Sequence, residues 1–269
     1  MVGFPNAKIN IGLHVTSKRP DGYHNLESIF YPVNLTDAIE IVKTDGHFSF
    51  TTTGITIDGK PENNLCIKAF KIMHNHYNIT NVNMHLHKAI PFGAGLGGGS
   101  ADAAWVIKML NTTFDLNLNN KKLQEIALQL GSDCAFFIEN KPSYVTGRGE
   151  NIEPIDFSLK GRYIVIVKPD IYISTPEAYK GIAPKPDRPA LPDLIRQPVE
   201  MWKNIIVNDF EKHLFIQHPT LSEIKQKLYE AGADYASMSG SGSAMFGLFR
   251  HEVDLKGLFH GMQVWCKEL

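Results

Sequence analysis

The sequence predicts a mixed fold of strands and helices, and three observations predict it. Several strand-like runs precede the first helices, and strand and helix alternate near the C-terminus. A glycine-rich loop joins an alternating strand to an apolar helix-like run.

In the first half, Ala7, Ile9, Ile11, Leu13 and Val15 alternate with Lys8, Asn10, Gly12 and His14. That spacing predicts a strand with one wet or functional face. Asp21-Gly22 marks a turn, and strand-like runs follow at 26–33, 38–43 and 47–52. Residues 65–77 fit a helix, and Val82, Met84 and Leu86 alternate with Asn83, His85 and His87 in a further strand. Ser100 is expected to cap the next helix, to about Leu110, with Asp102 suiting the helix dipole. Another helix is expected over roughly 119–130, stopped by Gly131.

The second half opens on a strand, 163–167. Pro184, Pro186, Pro189, Pro192 and Pro198 then mark an irregular surface connection. Leu221, Ile224 and Leu228 share one face of a helix over 220–231, with Gly232 just beyond it. A Ser/Gly loop, a strand (244–249), a helix (about 252–260) and a strand (262–266) complete the chain.

Composition excludes several classes. The net charge is -1, the pI is about 6.8, and no dense Lys/Arg run occurs, so no nucleic-acid partner is expected. No apolar stretch reaches the roughly 18 residues a membrane helix needs. The first ten residues lack the basic start and apolar core of a signal peptide, and Cys66, Cys134 and Cys266 are odd in number and scattered. Free thiols in a reducing cytoplasm are expected.

Chemistry concentrates in a few places. Gly93, Gly95, Gly97, Gly98 and Gly99 let backbone N–H groups approach a ligand, and a helix start behind them suits an anion. A phosphate cradle is expected. Gly93, Gly95 and Gly98 also satisfy G-x-G-x-x-G, which keeps an NAD-binding oxidoreductase open. Against that alternative, several strands come first, and Asp115 lies in a polar loop rather than at a strand end. Walker A fails, because no Lys-Ser/Thr pair follows the glycines. Residues 237–243 suit a second nest of N–H groups or a plain hairpin connection. Asp133 is either a helix cap or a partly desolvated base. Lys8 reads as a solvated edge charge or as a functional partner of Asn10. Tyr23 and His24 read as surface packing or as an aromatic with a donor/acceptor. His74/His76 and His85/His87 lack a third ligand at zinc spacing.

Five segments taken together carry a resemblance. They are P-N-A-K-I-N (5–10), D-G-Y-H (21–24), P-x3-G-L-G-G-G-S (91–100), L-G-S-D (130–133) and I-S-T-P-E-A-Y (173–179). In this order, over most of the chain, they resemble the GHMP small-molecule kinases. The third glycine before Ser100 and the D-G-Y-H segment are similar to the branch that phosphorylates a diphosphocytidyl methylerythritol in the non-mevalonate isoprenoid route. The resemblance implies an α+β fold, with a ribosomal-protein-like, ATP-binding domain over 1–155 and a ferredoxin-like domain over 156–269. It implies Asp133 and Lys8 as the catalytic pair. It implies Asn64, Leu65 and Lys88 near the adenine of ATP. Around the phosphates it implies Pro91, Phe92, Gly93, Ala94, Gly95, Leu96, Gly97, Gly98, Gly99, Ser100 and Ala101. For the alcohol substrate it implies Asn10, Tyr23, His24, Thr175 and Tyr179, with Gly240 and Ser241 on the substrate side. ATP with Mg2+ is the implied co-substrate pair, with Ser100 the nearest candidate for the metal and no secure acidic ligand. A monomer or weak homodimer is implied. The alternative within the family is a branch acting on mevalonate, homoserine or a sugar.

Overall fold

The structure is a computed structural model that describes residues 1–57 and 59–269. Along the chain run β1 (Val2–Gly3), β2 (Asn6–Lys18), β3 (His24–Thr36), β4 (Ala38–Lys43), β5 (Ser49–Gly54), α1 (Leu65–Tyr77), β6 (Val82–Lys88), α2 (Gly98–Thr113), α3 (Asn120–Leu128) and α4 (Ser132–Glu139). Then follow β7 (Ser143–Gly147), β8 (Asn151–Pro154), β9 (Tyr163–Lys168), α5 (Thr175–Lys180), α6 (Leu191–Leu194), α7 (Trp202–Ile205), α8 (Glu211–Gln217), α9 (Pro219–Glu230), β10 (Tyr235–Met238), β11 (Met245–Phe249) and β12 (Gln263–Glu268). No helix among the described residues is long and apolar enough to cross a membrane.

The chain forms two compact units that interleave in sequence. The first comprises Met1–Ala7, Leu35–Phe92 and Gly97–Lys141. Its sheet has the order β1-β4-β6-β5, with β4 antiparallel and β5 parallel to β6. Ile39, Ile41, Val82, Met84 and Leu86 are buried, while the alternate residues Glu40, Asn83 and His87 face solvent. Each such buried aliphatic stabilises the fold by about 1.5–3 kcal/mol. Asn64 caps α1 by accepting from the Cys66 amide (2.8 Å), and Asn78 ends it at φ 48. The strand that feeds the glycine loop therefore sits in a mixed sheet, and the next strand, β7, pairs with β3 and β8 instead. A dinucleotide fold needs a parallel βαβ return at this point, so the oxidoreductase alternative falls.

The second unit comprises Lys8–Asn34, Gly93–Leu96 and Pro142–Leu269. It holds the sheets β2-β3-β7-β8 and β10-β11-β9-β12. Strand β9 is central to the latter, antiparallel to both β11 and β12, and Ile164 to Val167 are all buried. Leu221, Ile224 and Leu228 of α9 share a core with Val165, Val167 and Phe249.

Two expectations are corrected and two open alternatives are narrowed. The second face of β2 is not wet, since Lys8, Asn10 and His14 are 3%, 2% and 1% exposed. Gly12 sits at φ +70, and Leu191 and Ile206 side chains lie 2.7 and 2.9 Å from where its Cβ would be. A side chain there would be strained by that left-handed backbone, which favours glycine. Ser100 does not cap α2. The helix starts two residues earlier, behind Gly97 at φ 71, whose carbonyl accepts from the Ala101 amide (2.9 Å). The helix expected over 252–260 reduces to a single turn at Lys256–Leu258. Asp254 Oδ1 accepts from the Lys256 amide (3.1 Å), and Gly261 takes φ 74, so side-chain and turn bonding displace the helix. Finally, residues 132–139 form a helix of their own, so Asp133 is not a cap: Gly131 holds that position and Asp133 lies in the first turn.

Candidate active site

In the second unit, the front of the glycine loop is laced to the other candidate segments. The Lys8 amide donates to Leu96 O (2.9 Å) and the Ala244 amide to Ala94 O (3.1 Å). Ser239 Oγ donates to Gly95 O (2.8 Å) and accepts from the Asn10 amide (3.3 Å). The Lys8 ammonium donates to Asn10 Oδ1 (2.6 Å) and stands 4.2 Å from the centre of the Phe30 ring. Asn10 Nδ2 donates in turn to Ser28 Oγ (2.9 Å), which donates to Gly12 O (2.6 Å). Lys8, Asn10, Ala94–Leu96 and the 239–244 loop thus form one hydrogen-bonded assembly around a buried cation. Such a cation is rare unless partnered, and here the partners are in place.

Gly240 belongs to the same assembly, because a Cβ on it would lie 3.2 Å from Asn10 Oδ1. Asn208 Nδ2 holds the loop from behind by donating to Met238 O and Gly240 O, each at 2.8 Å. Ser241 is half-buried at the loop tip. At Gly95 a Cβ would fall 2.0 Å from Ser239 O, with φ at +74. Gly95→Ala is therefore expected to lower stability by at least about 2 kcal/mol, from left-handed strain plus the clash. Thermal unfolding checks this, and an unchanged Tm would show the two loops to be slack.

The aromatic residues form a second group. His24 and Tyr179 stack with ring centres 5.1 Å apart, and Tyr179 meets the Phe210 ring at 4.8 Å, edge to face. Burial, reinforced by the Lys18 charge, pushes the His24 imidazole below its ordinary value, which favours its neutral form. The Arg148 guanidinium lies 5.0 Å from the Tyr23 ring, and Tyr23 remains exposed. Thr175 opens α5 behind the Ser174 cap and is exposed.

In the first unit, Asn64, Leu65, Lys88 and Phe92 line a cavity of about 320 Å³, together with Phe50, Ile57, Pro61, Cys66, Gly99 and Asp102. Its walls are mostly apolar, which suits a flat base. The Lys88 head is not open to this space: Asp37 and Asp102 both hold it. Burial pushes the Asp102 carboxyl up to about 7. Pro91 is buried, and Gly97–Ser100 run into the first turn of α2 with no side-chain cap on its amides. Such a bare helix start offers N–H groups to an anion. The Ser100 hydroxyl partners the Cys134 thiol, which burial pushes up to about 11. Asp133, next in the chain, is half-buried.

Several residues of these assemblies give no local signal in the sequence. Ser28 and Asn208 act through atoms 18 and 30 positions away. Asp37 sits between two strands like any turn residue. Of the two histidine pairs, His85 and His87 serve the first unit's sheet, with His85 Nδ1 at 2.8 Å from Thr51 Oγ1 and His87 Nδ1 at 3.0 Å from Thr53 Oγ1, while His74 and His76 lie on α1. No group of three metal-binding side chains occurs among the described residues.

The family described as GHMP kinases N terminal domain matches residues 64–141, and GHMP kinases C terminal matches residues 190–264. The chain belongs to the GHMP kinase family, and so is a small-molecule kinase with ATP as co-substrate. It is 51% identical to a 4-diphosphocytidyl-2-C-methyl-D-erythritol kinase of Parabacteroides distasonis, over 100% of both chains. It is 52% identical to the enzyme of the same name from Bacteroides fragilis, over 94% of this chain and 93% of that one. A crystal structure of 4-(cytidine 5'-diphospho)-2C-methyl-D-erythritol kinase superposes with a TM-score of 0.84 at 29% identity, covering 99% and 98% of the two chains.

Proposed function

We propose that this chain transfers the γ-phosphoryl group of ATP to the 2-hydroxyl of 4-diphosphocytidyl-2-C-methyl-D-erythritol, in the non-mevalonate route to isoprenoid precursors. The observation that carries the reading is the assembly of Lys8 and Asn10 with both glycine loops. It holds a buried cation against Ala94–Leu96, the front of the glycine loop. The names of the full-length relatives point to the same alcohol, as do the D-G-Y-H segment and Tyr179.

Phosphoryl transfer asks the protein for positioning and charge stabilisation. In this reading the amides of Gly97–Gly99 and the α2 start hold phosphate oxygens. The base of ATP occupies the cavity walled by Asn64, Leu65 and Phe92. Asp133 orients the 2-hydroxyl and accepts its proton as the O–P bond forms. The Lys8 ammonium offsets the negative charge on the transferring group. Neutral His24 and Asn10 hydrogen-bond the alcohol, and the Tyr179 ring lies against the cytosine. Mg2+ would be held chiefly by phosphates and water, and the half-buried Ser100 hydroxyl at the helix start is the protein oxygen that would reach it. When bound, the ion neutralises charge on the phosphates. Residues 1–155 serve as the ATP-binding domain and 156–269 as the second domain. The setting is the cytoplasm, where three free thiols remain reduced, and the working form is a monomer or weak homodimer without nucleic acid or membrane.

An ADP-release assay tests the reading. Turnover is expected with the diphosphocytidyl alcohol and not with mevalonate, homoserine or galactose. A higher kcat/KM on any of the other three would replace the substrate assignment. Tyr179→Ala is expected to raise KM for the alcohol about tenfold or more, the scale of one base stacked on an aromatic ring. It removes that ring and also the support of His24. KM for ATP stays within about twofold, and a change confined to ATP would overturn the stacking role.

A further inference from the structure

We propose that Asp37, Lys88 and Asp102 form a buried strut that positions the first turn of α2. On this view Lys88 serves the nucleotide by placing the Gly97–Gly99 amides, not by touching it with its ammonium. The inference rests on the proposed phosphate-binding role of those amides.

The geometry is specific. Lys88 ends β6 and is 2% exposed. Its ammonium donates to Asp102 Oδ2 (2.7 Å) and to Asp37 Oδ2. Asp37 Oδ1 accepts from the amides of Ala89 (2.6 Å) and Ile90 (2.8 Å), so the same carboxylate grips the chain as it leaves the strand. A Cβ on Gly98 would lie 3.0 Å from the Lys88 ammonium and 2.8 Å from Ile90 Cγ2. The ammonium is thus pressed against the first residue of the helix. Asp102 follows Gly98 by four residues, so both stand on one helix face. The strut therefore meets α2 at its first residue and one turn further in.

Electrostatics show what the carboxylates are for. A lone cation under the positive end of a helix is repelled. Two carboxylates reverse that repulsion and lock the distance. Replacing a buried ion cluster by apolar groups is often neutral or stabilising, so stability alone does not call for this arrangement. Asp102 Oδ1 is buried with no hydrogen-bond partner among the described residues, a local penalty that a packing role would not need. A cluster that fixes one register of helix against strand accounts for both facts.

The test is a double-mutant cycle on the full chain, read by equilibrium binding of Mg-ATP and of the diphosphocytidyl alcohol. Lys88→Met, Asp37→Asn and Asp102→Asn are each expected to weaken ATP binding about tenfold, leaving the alcohol within about twofold. Lys88→Met/Asp102→Asn is expected to be no weaker than the worse single variant, because both break one device. Loss in Lys88→Met alone, with both Asp variants binding ATP like wild type, would mean that the ammonium contacts the nucleotide and would overturn the proposal. Equal loss of both ligands would reduce the strut to general stability and overturn it too. Gly98→Ala keeps all three charges while pressing on the ammonium, and covers the case in which the charge variants fail to fold. The same selective loss of ATP is expected, and wild-type binding would count against the strut. A wild-type chain that binds no ATP would instead remove the phosphate-binding reading on which the inference stands.

Discussion

Asp133→Asn is expected to lower kcat by about two to four powers of ten, the contribution of a well-placed general base. Binding of Mg-ATP and of the alcohol should stay within about twofold. Asparagine keeps the size and one acceptor oxygen of the side chain but accepts no proton from a hydroxyl. The position is well anchored, since Cys134 to Ile138 behind it are all buried in α4. An acidic side chain in a first turn also suits the positive end of its helix. The substitution therefore tests chemistry more than folding. Single-turnover phosphoryl transfer, run beside equilibrium binding, separates the two. A wild-type rate with binding intact would remove Asp133 from the reaction.

Legibility in the sequence followed the range of the interactions. Helix 65–77 and strand 82–88 could be read closely because their signals are local: an asparagine at each end of the helix, strict alternation along the strand. Helix α4 was harder, because Gly131 reads equally as the end of α3, and Phe136 and Phe137 read as generic core. The turn at Lys256–Leu258 looked helical until the Asp254 side chain competed for a backbone amide. Lys8 shows the main failure of local reasoning at the site. A lysine in an alternating strand reads as solvated, and only the fold supplies Phe30 and, through Asn10, Ser28 and Ser239. The Asp37–Lys88–Asp102 cluster spans sequence separations of 51 and 14, beyond any periodicity. Motifs named Lys8 and Asp133 as candidates, whereas the residues that hold the candidates in place came from the fold.

Lys8→Met is expected to lower kcat by about two to three powers of ten, the effect of removing one preorganised charge stabiliser. The main chain should not move, because the Lys8 amide is bonded to Leu96 O and Asn10 remains tied to Ser28 and Ser239. Methionine fills nearly the same volume with an unbranched apolar chain and removes the ammonium, including its bond to Asn10 Oδ1 and its approach to the Phe30 ring. Removing one member of a buried charged network leaves its partners uncompensated, so Tm is expected to fall as well. Turnover measured well below Tm, beside the fraction folded, separates a cation kept for chemistry from one kept for structure. A Tm lowered by several degrees with kcat within tenfold of wild type would reverse the assignment. Lys8→Arg keeps the charge but brings a planar fork into a site built for a compact ammonium, so only partial recovery of kcat is expected.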